Sequence, residues 1–222
     1  MKFDTPRRPM ILTNDPMIRK VIRQRLATAH DGQDAVIVDE LRVDRGSARI
    51  DVAVVNGLID GFEIKSDKDT LERLERQAML YGEIADRMTL VVGERHLNEA
   101  VQLIPDWWSV ILARPHGESC KLRNLRKGRR NRSLNAWALV NMLERQELMT
   151  LLSIHSLEKG ASRQIFAELA QTATSGIKAL EIASFVKRVL KVRATFEVLH
   201  GQSAFARAAI ICGPSSQGAG LL

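Results

Sequence analysis

Long apolar runs are missing from this 222-residue chain. No stretch approaches the ~20 consecutive apolar residues needed to cross a bilayer. The opening MKFDTPRRPMILTND is too polar and too broken by proline to read as a signal peptide. Cysteine is scarce as well. Cys120 and Cys212 lie far apart and fit neither a zinc nor a redox spacing, which excludes a disulfide scaffold and a CxxC centre. The five histidines show no HxxxH-like spacing, and there is no G-x-x-x-x-G-K phosphate loop, so a P-loop nucleotide hydrolase is excluded. The expectation from these absences is a soluble, cytoplasmic protein with no membrane partner.

What is present is a core-forming composition, 45% hydrophobic and 27% charged, with an uneven charge. Residues 1–120 hold 17 Lys and Arg against 20 Asp and Glu, a net of −3, whereas residues 121–222 hold 16 against 6, a net of +10. A basic segment joined to an acidic one points to a polyanionic partner, nucleic acid first. A solvated basic surface that aids solubility gives the same numbers.

Periodicity divides the chain. NDPMIRKVIRQRLATAHDG has an Asn-Asp-Pro start and apolar residues at Met17, Ile18, Val21, Ile22 and Leu26, which predicts an amphipathic helix. AVIVDELRV, RIDVAVV and LIDGFEIK predict three strands, the last two joined at Asn56-Gly57. DTLERLERQAMLYGEIAD predicts a helix with Asp69 as N-cap, Glu72 completing a capping box, and a buried stripe of Leu71, Leu74, Ala78, Tyr81 and Ala85. MTLVVG predicts an interior strand, RHLNEAVQLI a short helix and SVILAR a last strand. The resulting order is α-β-β-β-α-β-α-β, an α/β core over 1–118. KLRNLRKGRRNR carries seven basic residues and no acid, so 119–133 reads as a basic linker or arm. A helical region over 134–200 and a disordered Gly/Ser/Ala-rich tail over 201–222 complete the expected organisation.

The chemistry lies in the strands. Glu63 and Lys65 alternate on one side of their strand, about 6.6 Å apart. A two-residue loop at Asn56-Gly57 would pair Asp51 with Phe62. A three-residue loop, or one bulge, pairs Asp51 with Glu63. The second register is the expectation, and a structure with the two acids on opposite faces would remove the site. Two carboxylates at about 4 Å repel by about 4 kcal/mol at an effective dielectric of about 20, and a cation between them relieves that cost. Oxygen donors without His or Cys select Mg²⁺ or Mn²⁺. Asp51, Glu63 and the backbone carbonyl of Ile64 are the candidate ligands, with Lys65 as the cation beside them. A structural Glu–Lys pair at a strand end, with Asp51 a surface acid, is the competing reading.

Asp51 followed by Glu63-Ile64-Lys65 on the second and third strands of such a core resembles the PD-(D/E)xK, or restriction-endonuclease-like, nuclease superfamily. Glu40, Arg49-Ile50-Asp51, FEIKSDKDTLERLERQAMLY and IPDWW together resemble a bacterial and phage branch of it, over roughly residues 15–115. The resemblance implies a mixed central sheet flanked by helices and metal-dependent hydrolysis of DNA phosphodiesters, with RNA the other nucleic acid open. It implies Glu40 as an auxiliary acid, although a strand-end surface acid fits Glu40 equally. It also implies contact between the substrate and Gln77 and Tyr81, which match a Gln-x-x-x-Tyr element on one helix face. A core tyrosine beside a surface glutamine is the alternative there.

In the arm, Lys121, Arg123, Arg126, Lys127, Arg129, Arg130 and Arg132 are candidates for phosphate contact, adding affinity without sequence information. Cutting both strands with one site per chain calls for a homodimer, or for a partner protein on the C-terminal helices. The rival to a nuclease is a non-catalytic nucleic-acid-binding or partner-binding protein that keeps the fold.

Overall fold

A computed structural model describes residues 12–200; the expected tail over 201–222 lies outside them. Helix α1 (Asp15–Ala29) begins where the sequence asks, with the Asn14 side chain accepting from the Met17 backbone N–H at 3.0 Å and proline in the first turn. Strands β1 (Val36–Val43), β2 (Ala48–Val55) and β3 (Ile59–Lys65) follow, then α2 (Leu74–Gly82), β4 (Arg87–Gly93), α3 (Leu97–Gln102), β5 (Ser109–His116) and β6 (Ser119–Arg126). Among the described residues four further helices follow: α4 (Ala136–Val140), α5 (Arg145–Ile154), α6 (Phe166–Gly176) and α7 (Ala179–His200).

The six strands form one mixed sheet in the order β1-β2-β3-β4-β5-β6. β1, β2 and β3 are antiparallel neighbours, β3-β4-β5 are parallel, and β6 returns antiparallel to β5. The two parallel connections run through α2 and α3. Both helices pack on the same face of the sheet, as right-handed crossovers require. Helix α1 covers the opposite face, where Ile18, Ile22 and Leu26 meet Val52, Val54, Ile64, Val91 and Ile111.

Two expectations need correction. The first concerns the basic arm. Residues 119–126 are the edge strand β6, and the chain beyond them is tied to the body. Gly128 N–H donates to Ser109 Oγ at 3.0 Å, Arg129 N–H to the Trp107 carbonyl at 2.9 Å and Asn131 N–H to the Asp86 carbonyl at 2.8 Å. The C-terminal helices share one continuous core with the sheet, so Leu139, Leu148, Leu169, Phe185 and Val189 belong to the same cluster as Ile59, Tyr81 and Leu90. The second concerns α2. Its helical turns begin at Leu74, and Asp69 caps no helix. Asp69 Oδ2 accepts from the N–H and Oγ of Ser66, both at 2.7 Å, which closes the turn out of β3. The expected stripe of Leu71, Leu74, Ala78, Tyr81 and Ala85 is buried as a set.

Candidate active site

The β2–β3 turn has three residues. Val55 pairs with Ile59 and Val52 with Phe62, so the register continued by one residue sets Asp51 opposite Glu63. Gly57 takes a φ of 93°, open to glycine, and lets Asn56 and Leu58 close the turn on each other. Regular pairing stops at Val52–Phe62. Beyond it the Asp51 carboxylate replaces the missing backbone partner, with Oδ2 accepting from Ile64 N–H at 2.7 Å.

Strand β2 loses its alternation at the same point. Ile50 packs under α2 and the C-terminal helices, and Val52 packs under α1, although two residues apart they would share a face in a regular strand. Across from Asp51, Glu40 has a φ of 51°, and the Glu40–Asp51 step is where β1–β2 pairing lapses. Irregularities of this kind re-aim side chains beside functional sites. Here they turn the Asp51 carboxylate into the gap between strands.

Glu63 and Lys65 point from β3 toward α2 and are both buried. Lys65 Nζ donates to Glu63 Oε1 at 2.7 Å and to Gln77 Oε1 at 2.9 Å. Gln77 Nε2 in turn donates to the Tyr81 hydroxyl at 3.0 Å, and Tyr81 donates to the Arg49 carbonyl. An ammonium has three donors, so one on Lys65 is unspent. Glu63 Oε2 is buried without any hydrogen-bond partner. Burial first, and the nearby Asp51 charge second, push the Glu63 carboxyl up to about 7 against the pull of Lys65. Burial also raises Asp51, opposed by the Ile64 N–H and by Arg19.

Arg19, which nothing in the sequence singles out, reaches this cluster from α1. Its guanidinium donates to the Asp51 carbonyl at 2.6 Å and to Asp51 Oδ1 at 2.9 Å. It also pairs with Asp15 at 2.9 Å and with Glu40 at 3.1 Å. Burial works against its charge, but Asp15 and Asp51 hold the guanidinium protonated well above the usual arginine range. Glu40 therefore joins the site through Arg19, and through Arg49 at 3.5 Å, while its side chain stays half-exposed. Only the i,i+4 spacing of Asp15 and Arg19 is visible in sequence, and that spacing says nothing of Asp51.

Two groups of expected nucleic-acid contacts are corrected. Tyr81 is fully buried and stacks on Trp108 at 6.4 Å, so it positions Gln77 and offers no face to a polymer. In the basic segment, Arg126 donates to the Trp108 carbonyl at 2.9 Å, and Arg130 pairs with Asp86 at 2.9 Å. Arg126 is thereby tied down against the body, whereas Arg130 keeps half of its side chain exposed beside Asp86. Lys121, Arg123, Lys127, Arg129 and Arg132 are exposed.

Ser66 and Asp67 serve the turn. Asp67 accepts from Thr13 through N–H at 2.9 Å and Oγ1 at 2.7 Å, and from Arg95 N–H at 2.9 Å. Those donors outweigh burial and hold its carboxyl below the ordinary range.

No group of three or more His, Cys, Asp or Glu side chains able to hold a metal stands together among the described residues. A cation at this site would rest on Asp51, Glu63 and a backbone carbonyl. Of these side-chain oxygens only one lacks a hydrogen-bond donor. Glu63 Oε2 is an orphaned buried oxygen. Because Ile64 N–H faces Asp51, its C=O leaves the strand on that same edge.

Fold and site thus define a mixed α/β protein with a buried carboxylate–lysine cluster where its second and third strands part. Residues 12–202 match the family described as Bacteriophage P4 protein cII, and the chain belongs to that family. It is 28% identical over 160 residues to Protein cII of Enterobacteria phage P4, an alignment covering 72% of this chain and 60% of that relative. The chain therefore spans about three-fifths of the relative's length. No solved structure matches it.

Proposed function

We propose that the protein is a metal-dependent nuclease of the PD-(D/E)xK type that hydrolyses DNA phosphodiester bonds. The observation that carries this reading is the Lys65 ammonium 2.7 Å from one oxygen of buried Glu63 while the other oxygen has no partner, where β2 and β3 splay at Asp51. A buried carboxylate without a partner for one oxygen costs folding energy, and a cation ligand is a use that justifies the cost.

Asp51, Glu63 and the Ile64 carbonyl would hold Mg²⁺ or Mn²⁺, oxygen donors suited to hard cations. The divalent cation supplies Lewis acidity for the attack of water on the phosphate. Lys65, fixed by Glu63 and Gln77, donates its free N–H to a phosphate oxygen and offsets the charge that builds there. Gln77 and Tyr81 keep that ammonium in place. Arg19 occupies Asp51 Oδ1 and so competes with the cation for it.

The test is cleavage of supercoiled plasmid, linear duplex and single-stranded DNA by the full chain, Glu63→Gln and Asp51→Asn, with Mg²⁺, Mn²⁺ or EDTA. Metal-dependent cutting lost in both variants is the expected result. Cutting that survives in both variants refutes the site. Arg19, already bound to Asp51 Oδ1, favours the second reading, a non-catalytic nucleic-acid-binding protein. Salt-sensitive DNA binding with no cutting of any substrate selects it.

A further inference from the structure

Beside the carboxylates lies a cavity of about 210 Å³ between the β1–β2 turn and α2. Gly46 to Ala48 close one side, Asp51 and Gln77 border the carboxylate cluster, and Arg49, Arg73 and Arg76 line the rest. Positions 73, 76 and 77 share one side of α2 at helical spacing, with Arg73 at its N-cap. Arg49 arrives from β2 and leans on Glu40 at 3.5 Å. Arg73 and Arg76 are exposed and have no side-chain partner among the described residues. The acids at the cavity are Glu40 and Asp51, and both are already paired with Arg19. Positive charge is therefore in excess here, on guanidinium forks whose geometry matches phosphate.

We infer that this cavity binds a backbone phosphate group of a nucleic-acid strand, next to the phosphate presented to Glu63 and Lys65. The placement beside the scissile position rests on the nuclease reading; the phosphate site itself does not. A cavity of this size accepts about one nucleotide's phosphate. Arg73 and Arg76 hold the phosphate, and Arg49 orients it from the sheet side.

The experiment measures binding with catalysis removed. Full-length Glu63→Gln is titrated in EDTA against fluorescent 12-mer single strands. Each 12-mer carries one neutral methylphosphonate at a successive position, and 5′-phosphate and 5′-hydroxyl versions are compared. The same series is run with Arg73→Ala and Arg76→Ala added, and with Lys159→Ala and Arg163→Ala as an equal loss of exposed charge elsewhere. Expected are at least tenfold weaker binding on loss of Arg73 and Arg76, and a salt slope shallower by about 0.7 for each phosphate no longer neutralised. One methylphosphonate position should weaken the parent and leave the arginine variant unmoved. If only the 5′-phosphate strand shows the effect, the phosphate is terminal; if both strands show it, the phosphate is internal.

Unchanged affinity in the arginine variant overturns the proposal. So does a loss matched by the Lys159 and Arg163 control, or an absence of any strand binding. Failure of the wild type to cut any DNA refutes the nuclease and leaves the binding result standing.

Discussion

Oδ2 of Asp51 lies 2.7 Å from the backbone nitrogen of Ile64, where the β2–β3 ladder would otherwise have continued. A side-chain carboxylate has taken the place of a backbone carbonyl. Strand pairing thus ends without orphaning a buried N–H. The same carboxylate is fixed beside Glu63, and the exchange that ends the sheet is also the one that assembles the site.

Stability should fall as pH rises through the range 4.5 to 7. Glu63 titrates at about 7 when folded against 4.5 ordinarily. In that window the folded state holds a proton that the unfolded chain has released, so rising pH favours unfolding. A shift of this size is worth about 3 kcal/mol in order of magnitude. Urea unfolding of the wild type between pH 4.5 and 8 should show the decline, and Glu63→Gln should flatten it. Mn²⁺ at a site containing Glu63 should restore the lost stability above pH 7, since it selects the ionised carboxylate.

Arg19→Gln should tighten Mn²⁺ binding about fivefold. The substitution removes a positive charge worth about 1 kcal/mol of repulsion near a partly hydrated site. It also frees Asp51 Oδ1, which the guanidinium holds at 2.9 Å. Calorimetry or electron paramagnetic resonance on Mn²⁺ reads the change, and weaker binding would mean that Arg19 is needed to aim Asp51.

Asp86→Ala should cost about 3–5 kcal/mol, the usual loss when one partner of a buried ion pair is removed. Asp86 is fully buried and receives Lys187 at 2.7 Å, Arg130 at 2.9 Å and the Ile59 N–H at 2.9 Å. Lys187 is itself buried, so the variant strands an ammonium between α7 and the sheet. Denaturant unfolding checks the cost, and Lys187→Met in the same background should recover part of it.

Gly93→Ala should destabilise by about 1–3 kcal/mol, typical of overpacking. A Cβ there would stand 2.7 Å from the backbone nitrogen of Asp67, which cannot withdraw without breaking its bonds to Thr13 and Arg95. Thermal unfolding of the variant reads the loss; an unchanged midpoint would mean that the Asp67 turn is looser than its bonds suggest.

Much of the scaffold was legible in the residues. Apolar spacing marked α1 and the buried stripe through α2, an apolar β-branched run marked β2, and alternation marked β3. The three-residue turn at Asn56–Leu58, with Asp51 set against Glu63, followed from asking which register brings two acids together. Strand β6 escaped notice because only one of its faces is partly buried and it has one neighbour. Cys120 and Leu122 are its apolar signal amid exposed cations.

By itself the sequence determined the periods and the placing of an acid, an acid and a base at Asp51, Glu63 and Lys65 on neighbouring strands. Periodicity depends on neighbours three or four residues away in a helix and two in a strand, distances that the chain's own geometry fixes. Tertiary structure alone decided which charges are available. Arg126 and Arg130 look like their free neighbours in sequence, yet they bond to the Trp108 carbonyl and to Asp86, while Arg19 is drawn across to Asp51. A side chain's electrostatic partner is set by how separate elements pack, and no local spacing encodes that.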